Sequence, residues 1–191
     1  MLTSSHLYWT WRLRPATADR PQWLVGSVLP DAPALVIGSA LMLGGASRWH
    51  VVDRTYAGPL RRSIHLAAHS LLATCAIAAA GPRTRALVLG TMGHQVVDYL
   101  THVDDAWPPA WPLSSWRWRA PVSYWQREHH ARAFAAMECA GLVAAVVTDR
   151  SQSRRVAGLG ALALAMGPLV RESSYESAIG GGIDWEQYSE G

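Results

Sequence analysis

Histidine and aspartate recur at four-residue intervals in one segment of this 191-residue chain. His94, Asp98 and His102 have the spacing His-x3-Asp-x3-His. Four residues advance an α-helix by about 400°, so each step turns the side chain only about 40° around the axis. The three side chains would therefore line one stripe of a helix, one turn apart. Imidazole and carboxylate groups placed in this way can hold one or two divalent cations.

A second histidine pair, His65 and His69, has the same spacing within an otherwise apolar segment. Together the two segments would bury five polar side chains on two apolar helices, which is costly unless these groups pair with each other or bind a metal. His6 and Asp31 fit the same set. Each also has an ordinary interpretation, His6 as a surface or satisfied core residue and Asp31 as a turn or N-cap carboxylate.

Five short motifs follow one another along the chain. They are Ser5-His6-Leu7, a GSxLPD turn at 26–31, His69-Ser70, GHxxxDxLT at 93–101 and Trp111-Pro112-Leu113. In this order they resemble the bacterial family of membrane-bound metal-dependent hydrolases of the YdjM-like type, which is thought to be distantly related to the zinc-dependent phospholipases C. The resemblance covers roughly residues 4–119. Ile64 stands where the family usually has a first histidine, so His65 departs from the pattern, and His102 also lies outside it.

The resemblance implies an inner-membrane protein with a metal site near one membrane face. The ligand candidates that it carries over by position are His6, Asp31, His69, His94 and Asp98, while His65 and His102 are added from helix geometry. A divalent cation, with zinc expected, would activate water for ester or phosphoester hydrolysis, and Asp31 or Asp98, if they are not both ligands, would serve as the general base. Membrane lipid and a small-molecule, lipid or phosphoester substrate are the expected partners, and a homo-oligomer remains an open alternative.

The elements that must position these residues are predicted to be helices. Runs rich in Ala and Leu, with few alternating β-branched residues, favour an all-α bundle of about six to seven helices. The predicted helices cover about 4–13, 21–29, 34–46, 62–80, 85–102, 123–147 and 155–170. Residues 103–121 carry four prolines and four tryptophans, which predicts an ordered loop. This loop fits either a membrane interface or aromatic packing over the bundle.

Composition indicates one helical domain over residues 1–171, followed by a flexible acidic tail at 172–191. Half of the chain is hydrophobic and only 16% is charged. A membrane span needs about 20 apolar residues, and only the uncharged stretch 63–82 is that long. A very apolar soluble bundle and a membrane protein with short spans therefore both remain open, and arginines on both sides of the apolar runs give no clear topology.

Several classes are disfavoured. The net charge of +3 comes without an RNA-binding or zinc-finger motif, so no specific nucleic-acid partner is expected. The first residues do not resemble a signal peptide. Cys75 and Cys139 lie in apolar runs without a CxxC pair, which predicts buried, reduced thiols.

Two alternatives to a hydrolase remain. One is a small helical membrane protein whose His and Asp residues form a structural or metal-sensing cluster. The other is a membrane di-iron oxygenase, suggested by His65-x3-His69 and by Glu128-His129-His130. Glu128 and Arg132 have the spacing of an exposed ion pair, which is an ordinary interpretation of this second cluster. Gln126 stands where an oxygenase motif would need histidine, which argues against the oxygenase.

Overall fold

The computed structural model describes residues 2–14, 16–46, 59–104, 106–124, 126–166 and 169. Within these ranges all regular secondary structure is helical, with eight α-helices, two short 3₁₀ turns and no strand. The all-α prediction is confirmed, although eight helices exceed the six to seven expected. They are α1 (Thr3–Leu13), α2 (Arg20–Val28), α3 (Ala32–Leu43), α4 (Pro59–His69), α5 (Leu71–Ala79), α6 (Arg85–Thr101), α7 (Ala131–Thr148) and α8 (Gln152–Ala165).

The single helix predicted over 62–80 is wrong, because α4 and α5 meet at Ser70. The Ser70 backbone is extended, with φ −76° and ψ 140°, and its hydroxyl accepts a hydrogen bond from the Leu72 N–H. Ser is a favoured N-cap residue because its side chain satisfies one of the unpaired amide groups of a helix start. The cap begins α5 in a new direction and leaves His69 at the end of α4.

The helix predicted from about residue 123 begins instead at Ala131. A 3₁₀ turn, Arg127–His129, precedes it, and His130 adopts the left-handed conformation with φ 65°. A left-handed residue cannot continue a right-handed helix, so α7 starts after it. The predicted loop is confirmed by irregular structure over 106–124. The proposed acidic tail lies outside the described residues.

Helices α2 and α6 pack backbone against backbone. A Cβ added to Gly26 would clash with the carbonyl oxygen of Leu87 and lie 2.9 Å from the Thr91 nitrogen, and one added to Gly90 would clash with the Trp23 carbonyl oxygen. Only glycine permits so close an approach at these two positions. The α6 residue one turn beyond Gly90 is His94, so this contact sets the position of a candidate ligand.

An apolar core joins α1, α7 and α8. Tyr8, Leu142 and Ala161 are buried in it. Three charged side chains form ion pairs beside this core. Asp149 Oδ2 lies 3.0 Å from Arg12 Nε and 2.8 Å from Arg154 Nε. Hydrogen bonds from Arg154 and from the Ser151 N–H lower the pKa of Asp149. The α7–α8 turn is thereby tied to α1, the helix that carries His6.

One described helix, Ala131–Thr148, is long and apolar enough to cross a membrane, and the α2–α3 pair, bent by 68°, is a second candidate if it counts as one span. The described residues therefore do not support the expectation of several spans. The uncharged stretch 63–82 is broken at Ser70. Cys75 is exposed on α5 and Cys139 is partly buried, so the expectation of two buried thiols is wrong for Cys75.

Candidate metal centre

Three parts of the chain bring four candidate ligands together. Asp31 lies in the turn between α2 and α3, His69 ends α4, and His94 and Asp98 lie on consecutive turns of α6. Each offers one ligand atom, and these four atoms all lie within 4.8 Å of one another. The group can therefore hold a metal ion. We call these four residues the His/Asp centre.

Four separations between a carboxylate oxygen and an imidazole nitrogen can be compared with those of a tetrahedral site. Bonds of about 2.0–2.2 Å at tetrahedral angles place two ligand atoms about 3.3–3.6 Å apart. Asp31 Oδ1 lies 3.4 Å from His69 Nε2 and 3.7 Å from His94 Nε2. Asp98 Oδ2 lies 3.6 Å from His69 Nε2 and 2.9 Å from His94 Nε2. Three of these four distances fall in or next to the expected range, so they are compatible with a cation shared by the carboxylates and the imidazoles.

Backbone carbonyl groups orient both imidazoles of the centre. His69 Nδ1 lies 3.0 Å from the His65 carbonyl oxygen, and His94 Nδ1 lies 2.8 Å from the Ser27 carbonyl oxygen. A histidine that donates Nδ1–H to a carbonyl presents the lone pair of Nε2 on the other side of the ring. Both Nε2 atoms face the carboxylates, which is the arrangement that metal-binding histidines adopt.

His94 Nε2 has an incomplete environment. It is buried and, among the described residues, has no hydrogen-bond partner, although Asp98 Oδ2 is only 2.9 Å away. The short distance without hydrogen-bond geometry leaves a buried polar atom unsatisfied, which typically costs about 1–3 kcal/mol. A cation between the nitrogen and the carboxylate would satisfy both atoms. The donor set and this atom together fit a divalent metal.

The other oxygen of Asp98 faces a second set of histidines. His6 Nε2 lies 3.1 Å and His102 Nε2 3.7 Å from Asp98 Oδ1. The His6 ring also stacks on His94, with ring centroids 3.9 Å apart. Asp98 thus lies between imidazoles on both sides, which is the position of a carboxylate that holds one cation or bridges two.

His65 and Asp31 differ from the other candidate ligands in their contacts and in their exposure to solvent. His65 is buried with its ring 4.2 Å from the ring of His69. The Asp31 side chain is 19% exposed, whereas that of Asp98 is 5% exposed. Asp31 occupies the N-cap position of α3 but makes no capping hydrogen bond. Its Oδ2 instead accepts a hydrogen bond from the Thr3 hydroxyl, and its Oδ1 faces the centre.

Charge in the centre is balanced by ion pairing. Burial lowers the pKa of His69, but contacts with Asp31 and Asp98 outweigh burial and raise it to about 9. Burial also opposes ionisation of Asp98, yet hydrogen bonds from His102 and His6 hold its pKa well below the usual range. The raised pKa favours a protonated His69 when no cation is bound, and a proton on Nε2 must leave before that atom can bind a metal.

Four supporting residues escaped the sequence analysis. Thr3 and Ser27 contact the ligands as described above, and the Tyr99 hydroxyl donates to the His69 carbonyl oxygen at 3.0 Å. The fourth is Trp107, whose ring centroid lies 5.0 Å from that of His69. Ser27 belongs to the GSxLPD motif, but it contacts His94 through its backbone carbonyl group, which its residue type does not reveal. The spacing of the other three residues does not point to the centre.

A second group of possible ligands lies elsewhere. Asp104, Glu128 and His129 offer ligand atoms within 4.8 Å of one another, and these residues are partly or fully exposed. Gln126 donates a hydrogen bond to Asp104 Oδ2 at 2.8 Å, and Arg119 lies 3.8 Å from Oδ1. Because the positively charged Arg119 side chain lies beside Asp104, this group is less suited to binding a metal ion. Glu128 and His129 thus lie together with Asp104, but this group does not include His65 or His69, the histidine pair of the oxygenase interpretation.

The chain matches no family model, no curated protein and no solved structure.

Proposed function

We propose that this protein is a membrane-associated hydrolase that uses a divalent cation, with zinc as the first candidate, to cleave an ester or phosphoester. The proposal is carried by the convergence of Asp31, His69, His94 and Asp98 from three separate parts of the fold, with ligand atoms within 4.8 Å of one another. The resemblance to the YdjM-like family supports the same assignment. Two imidazoles and two carboxylates form a donor set suited to zinc.

The residues of the centre divide into holding and reacting groups. A bound cation would polarise the substrate oxygen and lower the pKa of coordinated water towards 7. Asp98 faces imidazoles with both oxygens, so we assign it to holding the centre. Asp31 is the more exposed carboxylate and its Oδ2 is oriented by Thr3, so we assign it as the general base that accepts the proton of the attacking water. His69, His94 and Asp98 then supply the three protein ligands, which leaves the fourth position of a tetrahedral site open for water.

The first test is metal-dependent hydrolysis. Purified protein stripped with a chelator and then supplied with zinc should bind it stoichiometrically and hydrolyse at least one of three probes: bis-(p-nitrophenyl) phosphate, p-nitrophenyl phosphate and p-nitrophenyl butyrate. The stripped protein should remain helical but inactive. A wild-type protein that folds normally and binds no zinc would instead indicate a structural ion-paired cluster. Oxygen consumption by the iron-loaded protein, without hydrolysis of any probe, would favour the oxygenase alternative.

Membrane association is supported by helices that bury polar or small residues and expose apolar ones, the reverse of the usual pattern in a soluble protein. On α5 the only buried residue is the polar Thr74, which donates to Gln95 Oε1 at 2.9 Å, while Leu71 and Leu72 are exposed. On α3 only Gly38 is buried and Val36 is exposed. Exposed apolar faces of this kind mark a membrane or an interface. A bilayer is the proposed surrounding because α7, about 27 Å long, nearly matches the hydrocarbon core.

An arginine scan of α7 tests this placement. Val143 and Val147 are both exposed, and Val147 lies one turn nearer the helix end. In a bilayer, Val143→Arg should lower the fraction that resists carbonate extraction, since Val143 lies one turn deeper than Val147 and the cost of an arginine rises towards the centre of a span, where it is about 2.5–3.5 kcal/mol. Val147→Arg is the matched control, because its side chain can extend to the interface and should leave the fraction unchanged. Equal behaviour of the two variants, with wild type released by carbonate, would rule out insertion of α7.

A further inference from the structure

The loop over 106–124 is fastened to the junction of α4 and α5. Ser70 Oγ lies within hydrogen-bonding distance of the carbonyl oxygens of Trp111 and Pro109, at 2.7 and 3.1 Å. The Leu71 N–H donates to the same Pro109 oxygen at 2.8 Å, and the Ala120 N–H donates to the His102 carbonyl oxygen at 2.9 Å. These bonds join the loop to the elements that carry His69 and His102. Side chains at the start of the loop are thereby held against the His/Asp centre.

Trp107 is the loop residue that contacts the histidines. Its ring centroid lies 4.5 Å from that of His65, 5.0 Å from that of His69 and 5.7 Å from that of His102. The residue is only 8% exposed. The indole therefore forms part of the wall of the centre, on the side occupied by His65 and His102.

The indole N–H of Trp107 is an unused donor. Its Nε1 is buried and has no hydrogen-bond partner among the described residues. Buried Trp N–H groups usually have a hydrogen-bond partner, because a donor that loses its hydrogen bond to water and gains none in the protein destabilises the fold. An indole placed here only for packing would be replaceable by a phenyl ring, which carries no polar atom.

We propose that the Trp107 N–H donates a hydrogen bond to an oxygen of the group bound at the His/Asp centre, and that this group is a phosphoryl oxyanion. This inference rests on the proposed function. The indole can only donate, so its partner must be an acceptor. An anionic oxygen is the acceptor that gains most from such a donor in a buried site, and a cation at the centre would attract the same charge. Trp107 is thus a substrate-positioning residue. Its N–H makes no hydrogen bond to a proposed metal ligand and is available to the substrate.

The test compares Trp107→Phe with Trp118→Phe, whose ring is exposed on the same loop. Zinc content and the affinity for inorganic phosphate are measured on zinc-loaded full-length protein by elemental analysis and titration calorimetry. A second arm measures binding to phosphatidylcholine vesicles with and without phosphatidic acid. Trp107→Phe should keep its zinc and lose about tenfold in affinity for phosphate or for phosphatidic acid, as expected for one hydrogen bond to a charged oxygen. Trp118→Phe should match wild type in zinc content and in phosphate affinity.

The outcomes separate this inference from the proposed function. If Trp107→Phe loses affinity for inorganic phosphate, the phosphoryl group belongs to a soluble compound. If it loses affinity for phosphatidic acid alone, the phosphoryl group belongs to a lipid headgroup. Wild-type affinity for both in Trp107→Phe overturns the inference while leaving the metal site intact. Loss of zinc together with phosphate shows a packing role and overturns it as well. A wild-type protein that binds no zinc overturns the proposed function and this inference with it.

Discussion

Replacement of His94 or Asp98 by alanine is expected to abolish stoichiometric zinc binding. Both residues supply ligand atoms of the His/Asp centre, and their atoms lie 2.9 Å apart. Removal of a group that hydrogen-bonds to a metal ligand lowers metal affinity by about 10–100-fold. Removal of the ligand itself should therefore lower zinc affinity by more than about 100-fold. His102→Ala should be milder, about tenfold, because His102 Nε2 lies 3.7 Å from Asp98 Oδ1, whereas Oδ2 is the oxygen of Asp98 that faces His69 and His94. Elemental analysis and competition with a zinc chelator measure these changes.

His129→Ala provides the matched control, since it removes an imidazole from the other group of possible ligands, formed with Asp104 and Glu128. This variant should bind zinc as wild type does. The reverse result, with zinc lost in His129→Ala and kept in both His94→Ala and Asp98→Ala, would move the metal site to the second group. Zinc content unchanged in all four variants would refute both locations. Helicity measured by circular dichroism identifies any variant that loses metal through unfolding.

The second large effect is expected at the contact between α2 and α6. Gly90→Ala places a methyl group into the Trp23 carbonyl oxygen, and a backbone atom cannot move aside as a side chain does. Overpacking of this kind typically costs about 1–3 kcal/mol, and we expect the upper end because the clash is with backbone. The melting temperature should fall by roughly 6–12 °C for a chain of this length. Zinc affinity should fall too, because separation of the helices breaks the His94 contact with the Ser27 carbonyl oxygen.

Gly93→Ala is the control on the same helix. A Cβ added to Gly93 meets nothing within 4 Å. Alanine is favoured over glycine in a helix by about 1 kcal/mol, so this variant should raise the melting temperature slightly and keep its zinc. Equal melting temperatures for the two variants would show that α2 and α6 do not pack through glycine. Zinc affinity preserved in a destabilised Gly90→Ala would show that the helix contact does not position His94.

Helix type and approximate position were predictable because they depend on local patterns. The stripe of His94 and Asp98 on α6 follows from helical periodicity alone, and the Gly81-Pro82 stop correctly separates α5 from α6. The two wrong helix boundaries, at Ser70 and before Ala131, have different causes. Ser70 lies in a continuous uncharged run, and its capping role becomes visible only with the carbonyl groups of residues 109 and 111 in place. His130 has a backbone conformation that no composition signal marks.

By itself the sequence determined that the chain is helical and that His and Asp would share a helix face, since both are consequences of spacing along one chain. Only the tertiary structure decided which distant residues meet. Asp31 and His69 reach the same point as His94 because glycines let α2 approach α6 and because Ser70 ends α4 at His69. The same packing placed Trp107 against the imidazoles. These contacts depend on how helices dock, and docking is set by surfaces that only the folded chain brings together.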